Sequence, residues 1–181
     1  NGFTIRHLED TSQGVEIETE FGWTLRVPKV LVAVNGFARR LLSMEEVQPA
    51  RNQVLITQPI SGLLVEGCFH YDRGYFYFRN IDGRILLGGG RNLDLEREKT
   101  DEFGANELIR TALTNLLHTV ICPGQAVEID CWWTGILGLG PVKKPIIENI
   151  SPNVTVAVRL SGMGVAIGTL VGQEGAALTI S

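Results

Sequence analysis

The sequence predicts an α+β chain with α/β elements, in which a mixed, mainly antiparallel sheet with helices is combined with a buried strand and a closing helix. Three stretches predict it. Val30-Leu31-Val32-Ala33-Val34 is apolar at every position and stops at Asn35-Gly36, the pattern of a strand covered on both faces. Tyr75 to Gly88 reads as two strands around Asp82-Gly83, a hairpin turn signal. The apolar run Val154 to Val158 breaks at Arg159-Leu160-Ser161-Gly162-Met163-Gly164 and re-enters as a Gly- and Ala-rich segment to Ile180, which predicts a strand, a tight bend and a closely packed helix.

The remaining elements follow in chain order. Val15 to Glu20 alternates apolar and acidic residues, and after Phe21-Gly22 the alternation resumes at Trp23, Leu25 and Val27, so a hairpin with one wet face is expected. Phe37 to Leu42 suits a short helix, Pro49 marks a break, and Gln53 to Gln58 reads as a strand. In the hairpin at Tyr75, alternation puts Tyr75, Tyr77 and Arg79 on one face and Phe76 with Phe78 on the other. Thr100 or Asp101 can cap a helix running to about Thr119, with Ile109, Leu113, Leu116 and Leu117 at helical spacing. Val127 to Trp133 alternates as a strand, and Thr134 to Pro141 is expected to be a glycine-rich loop. The chain opens at Asn1 with no methionine, and Phe3-Thr4-Ile5 already has mid-sheet character, so an excised part of something longer is expected.

Composition narrows the function. The 181 residues are 44% apolar and 20% charged, an ordinary globular balance. A net charge of −4 argues against nucleic acid, whose phosphates call for a concentrated basic surface. No stretch approaches the ~20 apolar residues of a spanning helix. Cys68, Cys122 and Cys131 form neither a disulfide framework nor a metal pattern, which points to a reducing, cytoplasmic setting.

Several motifs are approached and missed. Gly162-x-Gly164-x-x-x-Gly168 is not a dinucleotide fingerprint, because its third glycine comes one residue late. Lys143 falls three residues after Gly140 with no Ser or Thr behind it, so Gly135 to Lys144 is no phosphate loop. His7, His70 and His118 lack metal-ligand spacing. Trp132-Trp133 either wall a flat ligand or belong to the core. Arg79 and Arg159 each interrupt an apolar strand, where an unpaired guanidinium is costly, so each requires an anionic or carbonyl partner, from a salt bridge or a ligand. The bend before the last helix gathers backbone N–H groups at a positive dipole end, suited to a phosphate, a carboxylate or the electron-rich edge of a reduced cofactor; close helix–sheet packing is the alternative.

Taken in order, these stretches resemble the D-amino acid oxidase-like family of FAD-dependent oxidoreductases, in its C-terminal part. Val30 to Leu42 is similar to the strand and turn returning to the FAD domain, and Gln48-Pro49-Ala50-Arg51-Asn52-Gln53-Val54 to the crossing into the substrate domain. Tyr77 to Gly89 resembles the family hairpin. Trp133-Thr134-Gly135, Lys144-Pro145-Ile146-Ile147 and Ser161-Gly162-Met163-Gly164-Val165-Ala166 resemble the motifs that bring the chain back to the flavin. The resemblance implies FAD-domain segments at 1–48 and 134–181 around a substrate domain at 49–133, with the N-terminal βαβ unit of the Rossmann-like FAD domain absent.

It also implies non-covalent FAD beside Asn35, Gly36, Trp133, Gly135, Gly162, Met163, Gly164, Val165 and Ala166. Tyr77, Arg79 and Arg159 become substrate-binding candidates for a small amine or amino acid. Leu137 stands where amino acid oxidases of the family place a carboxylate-gripping arginine, and Met163 and Ala166 replace the histidine and lysine of sarcosine oxidase-like relatives. The implied activity is C–N bond oxidation by an enzyme of which this chain is a fragment, inactive alone. The alternatives are a non-catalytic module on the same fold and a subunit completed by a separate FAD-binding chain. A homo-oligomer is compatible with either.

Overall fold

The computed structural model describes residues 2–181; Asn1 lies outside them. The chain forms two compact units, Asn1–Ala50 with Leu137–Ser181, and Arg51–Ile136.

In the first unit, β1 (Ile5–Thr11), β2 (Gly14–Thr19) and β3 (Thr24–Val27) form an antiparallel meander in which Leu8 faces Ile17 and Ile17 faces Leu25. The expected hairpin of β2 and β3 is there, but its apolar face is only partly covered. Val15 is fully buried, whereas Trp23 is 70% exposed and Leu25 57% exposed. The cause is position: β3 is an edge strand, and the core reaches Val15 and Val27 without extending to its start.

A second sheet has the order β10-β11-β4. Here β4 (Val30–Val32) runs parallel to β11 (Val154–Val158), which pairs antiparallel with β10 (Ile146–Ser151). All five residues of β11 are buried, as a central strand requires. In β4 only Val32 is, because that strand is at the edge; the expectation of burial on both faces fails there. A single 3-10 turn, Asn35–Phe37, leads into α1 (Ala38–Leu42). The closing helix α3 (Gly164–Ile180) lies against β10 and β11 through Val171 and Gly175. Gly175 permits this approach, since a Cβ there would sit 3.0 Å from Ala157 Cβ and 3.1 Å from Leu31 Cδ1.

The second unit is built on a five-stranded sheet of order β6-β7-β8-β5-β9. Its strands are β5 (Gln48–Thr57), β6 (Cys68–Tyr71), β7 (Phe76–Ile81), β8 (Arg84–Gly89) and β9 (Ile129–Leu139). Asp82 (φ 49°) and Gly83 (φ 69°) both turn left-handed, the requirement of the tight hairpin turn that Asp-Gly signals. The glycine-rich loop expected at Thr134 to Pro141 is instead mostly strand. Gly138 is there for close approach, since a Cβ on it would meet Asn35 Oδ1 at 2.5 Å.

The helix of this unit, α2 (Glu107–Leu116), begins later than expected. Its cap is Asn106, whose side-chain oxygen accepts from the Leu108 N–H at 3.2 Å, and a π turn at Leu117–Ile121 ends it. The capping role falls to Asn106 because Glu98 and Asp94 hold its amide from the other side. Ile109, Leu113 and Leu117 from α2 and its π turn pack with Leu55, Ile85 and Leu87 from the sheet, with Phe76 and Phe78 on this same side.

Candidate functional site

The bend after β11 is held by two residues from separate stretches, Asn35 and Gly138. Arg159 (φ 61°), Ser161 (φ 52°) and Gly162 (φ 81°) take left-handed backbone, which costs a non-glycine residue on the order of 1–3 kcal/mol and persists only where surroundings enforce it. The enforcement is visible. Asn35 Oδ1 accepts the Leu160 N–H at 3.1 Å, and the Gly138 carbonyl accepts the Ser161 N–H at 3.0 Å. Asn35 is itself left-handed (φ 48°), which swings its side chain toward the end of β11. Asn35, Gly36 and the bend are therefore assembled at one end of the parallel pair.

Beyond the bend, α3 starts without a cap. Its N-cap residue Met163 contributes no side-chain bond, and no acidic residue occupies the first turn. The Met163 carbonyl receives the Ala166 and Ile167 N–H groups at 2.9 and 3.1 Å, while no acceptor within the described residues meets those of Gly164 and Val165. The bend is open rather than sealed: Gly162 and Ala166 are exposed, Val165 is fully exposed, and a Cβ on Gly162 would meet nothing within 4 Å. An uncapped helix N-terminus with open amides suits an electron-rich oxygen edge.

Arg159 is 9% exposed, and its guanidinium is engaged inside the unit: Nε donates to the Lys144 carbonyl at 2.9 Å and Nη1 to the Glu46 carbonyl at 3.4 Å. Of the partners anticipated for it, carbonyls are the ones it has. For Arg79 the premise itself is corrected. Its side chain on β7 is exposed, so water solvates the charge and no buried partner is required.

In the second unit, Tyr77 lies half-buried on the sheet face opposite α2. Its Oη accepts from Asn52 Nδ2 at 2.9 Å, which leaves its own proton free to donate elsewhere. Burial pushes the Tyr77 hydroxyl pKa up, and the Asn52 bond offsets part of that. The ring has room because residue 88 is glycine: a Cβ there would stand 2.5 Å from Tyr77 Oη and 2.6 Å from Cζ. Strand register sets His70 opposite Tyr77 and Cys68 opposite Arg79. Asn52 and His70 carry no sequence signal for this face; only the pairing of β5, β6 and β7 within one sheet reveals them.

The tryptophan pair divides. Trp132 packs toward the core and its ring carries the Arg110 guanidinium at 4.9 Å, whereas Trp133 is 40% exposed on β9, followed by the open Gly135. A hollow of about 310 Å³ beside Trp132, lined by Arg110, Thr114 and Ile129, is on the α2 side of the sheet. A further buried cluster escaped the sequence reading: Arg51 Nη2 and Nε bind Glu98 Oε1 and Oε2 at 2.8 and 3.1 Å, with Asn106 Nδ2 on Oε1 at 2.9 Å. Among the described residues no group of His, Cys, Asp and Glu side chains is arranged to hold a metal, and no helix is long and apolar enough to cross a membrane.

This chain belongs to the FAD dependent oxidoreductase family, whose model matches residues 1–178. Particular relatives extend the match. The "Probable oxidoreductase OrdL" of Rhizobium meliloti (strain 1021) is 29% identical over 182 residues, covering 96% of this chain and 40% of that protein. Glycine oxidase from Geobacillus kaustophilus superposes with a TM-score of 0.79 at 16% identity, over 98% of this chain and 48% of its own. Iminodiacetate oxidase from Chelativorans sp. BNC1 superposes at 0.73 with 14% identity, over 99% of this chain and 49% of its own. The chain thus spans 40% to about half the length of these relatives.

Proposed function

We propose that the chain is the substrate domain and the closing part of the FAD-binding domain of an oxidoreductase that oxidises a C–N bond of a small amine or amino acid. The single observation that carries the reading is the uncapped start of α3 at an open glycine bend, in a chain of this family. The residues fit the cofactor's oxygen-bearing edge: the Gly164 and Val165 amides are unclaimed, no carboxylate occupies the first turn, and no side chain crowds Gly162.

FAD, when bound, supplies the oxidation by accepting a hydride from the C–H beside the substrate nitrogen. The chain's own part is positional and electrostatic. Gly164 and Val165 offer N–H donors and a positive dipole end where negative charge develops on reduction. Asn35 and Gly36 shape the neighbouring turn, with Met163 and Ala166 flanking the donors. Tyr77 presents a hydroxyl whose orientation Asn52 sets, and Arg79 offers a solvated cation on the same strand face; both are the proposed substrate contacts. Trp133 and Gly135 are assigned to the cofactor by family resemblance.

The outer edge of β4, unpaired among the described residues, and the apolar residues that α3 leaves exposed suit a further βαβ unit, supplied by the same polypeptide or by a separate one. One observation favours a non-catalytic module as the second reading: Leu137 stands at the position where a carboxylate-binding arginine is expected. A cytoplasmic setting and a small-molecule substrate accompany the enzyme reading.

The test is a screen of the intact flavoprotein against amines and amino acids, read by bleaching of the flavin absorbance, beside a flavin spectrum of the chain alone. Bleaching by at least one substrate and no stoichiometric flavin on the chain alone are expected. In the intact protein Gly164→Asp, which sets a carboxylate at the donors, is expected to abolish flavin binding or reduction; unchanged kinetics would remove the bend from the mechanism.

A further inference from the structure

We propose that Arg159 is the positioning residue of the cofactor bend: its guanidinium clamps the left-handed backbone that aims the open amides of α3, and it does not bind substrate. The inference rests on the flavin reading above and assigns a side chain to it.

An arginine at φ 61° is in a conformation that favours glycine, and at 9% exposure its charge is largely withdrawn from water. Either feature alone is costly. Among the described residues no carboxylate lies within ion-pair distance to offset the charge. What the side chain has instead is two carbonyls from two separate segments, Lys144 before β10 and Glu46 before β5, reached by two different nitrogens of one rigid fork.

The path of that fork is built. A Cβ on Gly140 would strike Arg159 Cδ at 2.5 Å, so a glycine is needed where the stem passes. The two segments therefore grip Arg159, and the next residues inherit the result: Leu160 N–H reaches Asn35, Ser161 N–H reaches Gly138, and the chain arrives at Gly164 with its amides turned outward. Amides aimed at the positive end of the α3 dipole favour an anionic reduced cofactor, so a bend that loosens is expected to lower the potential of a flavin held there.

Three substitutions separate these contributions. Arg159→Gly suits the backbone and removes the fork, Arg159→Met removes fork and charge but keeps much of the volume, and Arg159→Lys keeps the charge but has one nitrogen for two carbonyls. Hydrogen exchange of the unloaded protein is expected to quicken roughly tenfold or more at the bonded amides of the bend, Leu160, Ser161, Met163, Ala166 and Ile167, in all three, with residues 154–158 still protected. In the loaded flavoprotein, the midpoint potential of the bound flavin is expected to fall in the Gly and Met variants and to fall less in the Lys variant. Should Met open β11 as a whole, the Gly variant decides. Unchanged exchange at those amides in Arg159→Gly overturns the clamp, and quickened exchange at an unmoved potential overturns its role toward the cofactor. The flavin reading has its own arm: in the wild-type protein FAD must slow exchange at residues 162–165, and failure there sinks that reading whatever the variants do.

Discussion

Gly88 shows how one absent side chain arranges another. Because residue 88 has no Cβ, the Tyr77 ring can lie across the sheet with its hydroxyl at Asn52; a methyl group would overlap Oη at 2.5 Å and crowd the Gln53 carbonyl at 3.1 Å. Gly88→Ala is therefore expected to cost about 1–3 kcal/mol of stability, the range of overpacking, and to displace the ring. Urea unfolding measures the first and near-ultraviolet circular dichroism the second. Adding Tyr77→Ala removes the overlapping atoms, so the double variant should lose less than the sum of the singles. An additive result would mean that the ring and residue 88 are not coupled.

At the scale of elements, the buried Arg51–Glu98 pair ties β5 to the segment preceding α2. Burial alone would raise the Glu98 pKa, but the bond from Arg51, then that from Asn106, and the Arg51 charge together hold it below the ordinary 4.5. The sign follows from that depression. A carboxylate with a lowered folded pKa stabilises fully above its unfolded value and loses that contribution as pH falls through the folded one. Glu98→Gln leaves Arg51 buried against a neutral partner and is expected to destabilise by roughly 3–5 kcal/mol at neutral pH. Its denaturation midpoint should then vary less with pH below 4.5 than that of the wild-type protein. Equal pH profiles would show that Glu98 does not drive acid unfolding.

At the scale of the whole molecule, apolar surface is the informative property. Trp23, Leu25, Val165, Leu170 and Ile180 are all exposed, and α3 is mostly apolar, with Gln173 and Glu174 its strongly polar side chains, while burying only Val171 and Gly175. Apolar helix residues left exposed in this number ordinarily mark a surface that another element or partner covers. The chain alone is thus expected to bind a hydrophobic dye strongly, and the signal should fall when the FAD-binding portion is co-expressed and co-purified with it. Dye fluorescence that is unaffected by the complementary portion, on a monomer by size exclusion, would argue for the free-standing module instead.

Local pattern and ordered motifs determined a good deal: the Asp82-Gly83 hairpin, the β11–bend–α3 sequence and the family itself, because turn chemistry, hydrophobic period and motif order are properties of neighbouring residues. Other features were decided only in three dimensions. The extension of β9 through two glycines, the Arg51–Glu98 pair, the Asn52–Tyr77 contact and the clamp on Arg159 each depend on groups far apart in the chain, and the cap at Asn106 on carboxylates 8 and 12 residues before it that only the folded segment brings to its amide. Burial is likewise a tertiary outcome, since Arg79 and Arg159 interrupt similar apolar runs and yet one is solvated and the other enclosed. What separates them is strand position and the carbonyls that the fold delivers, and neither is written in the residues on either side.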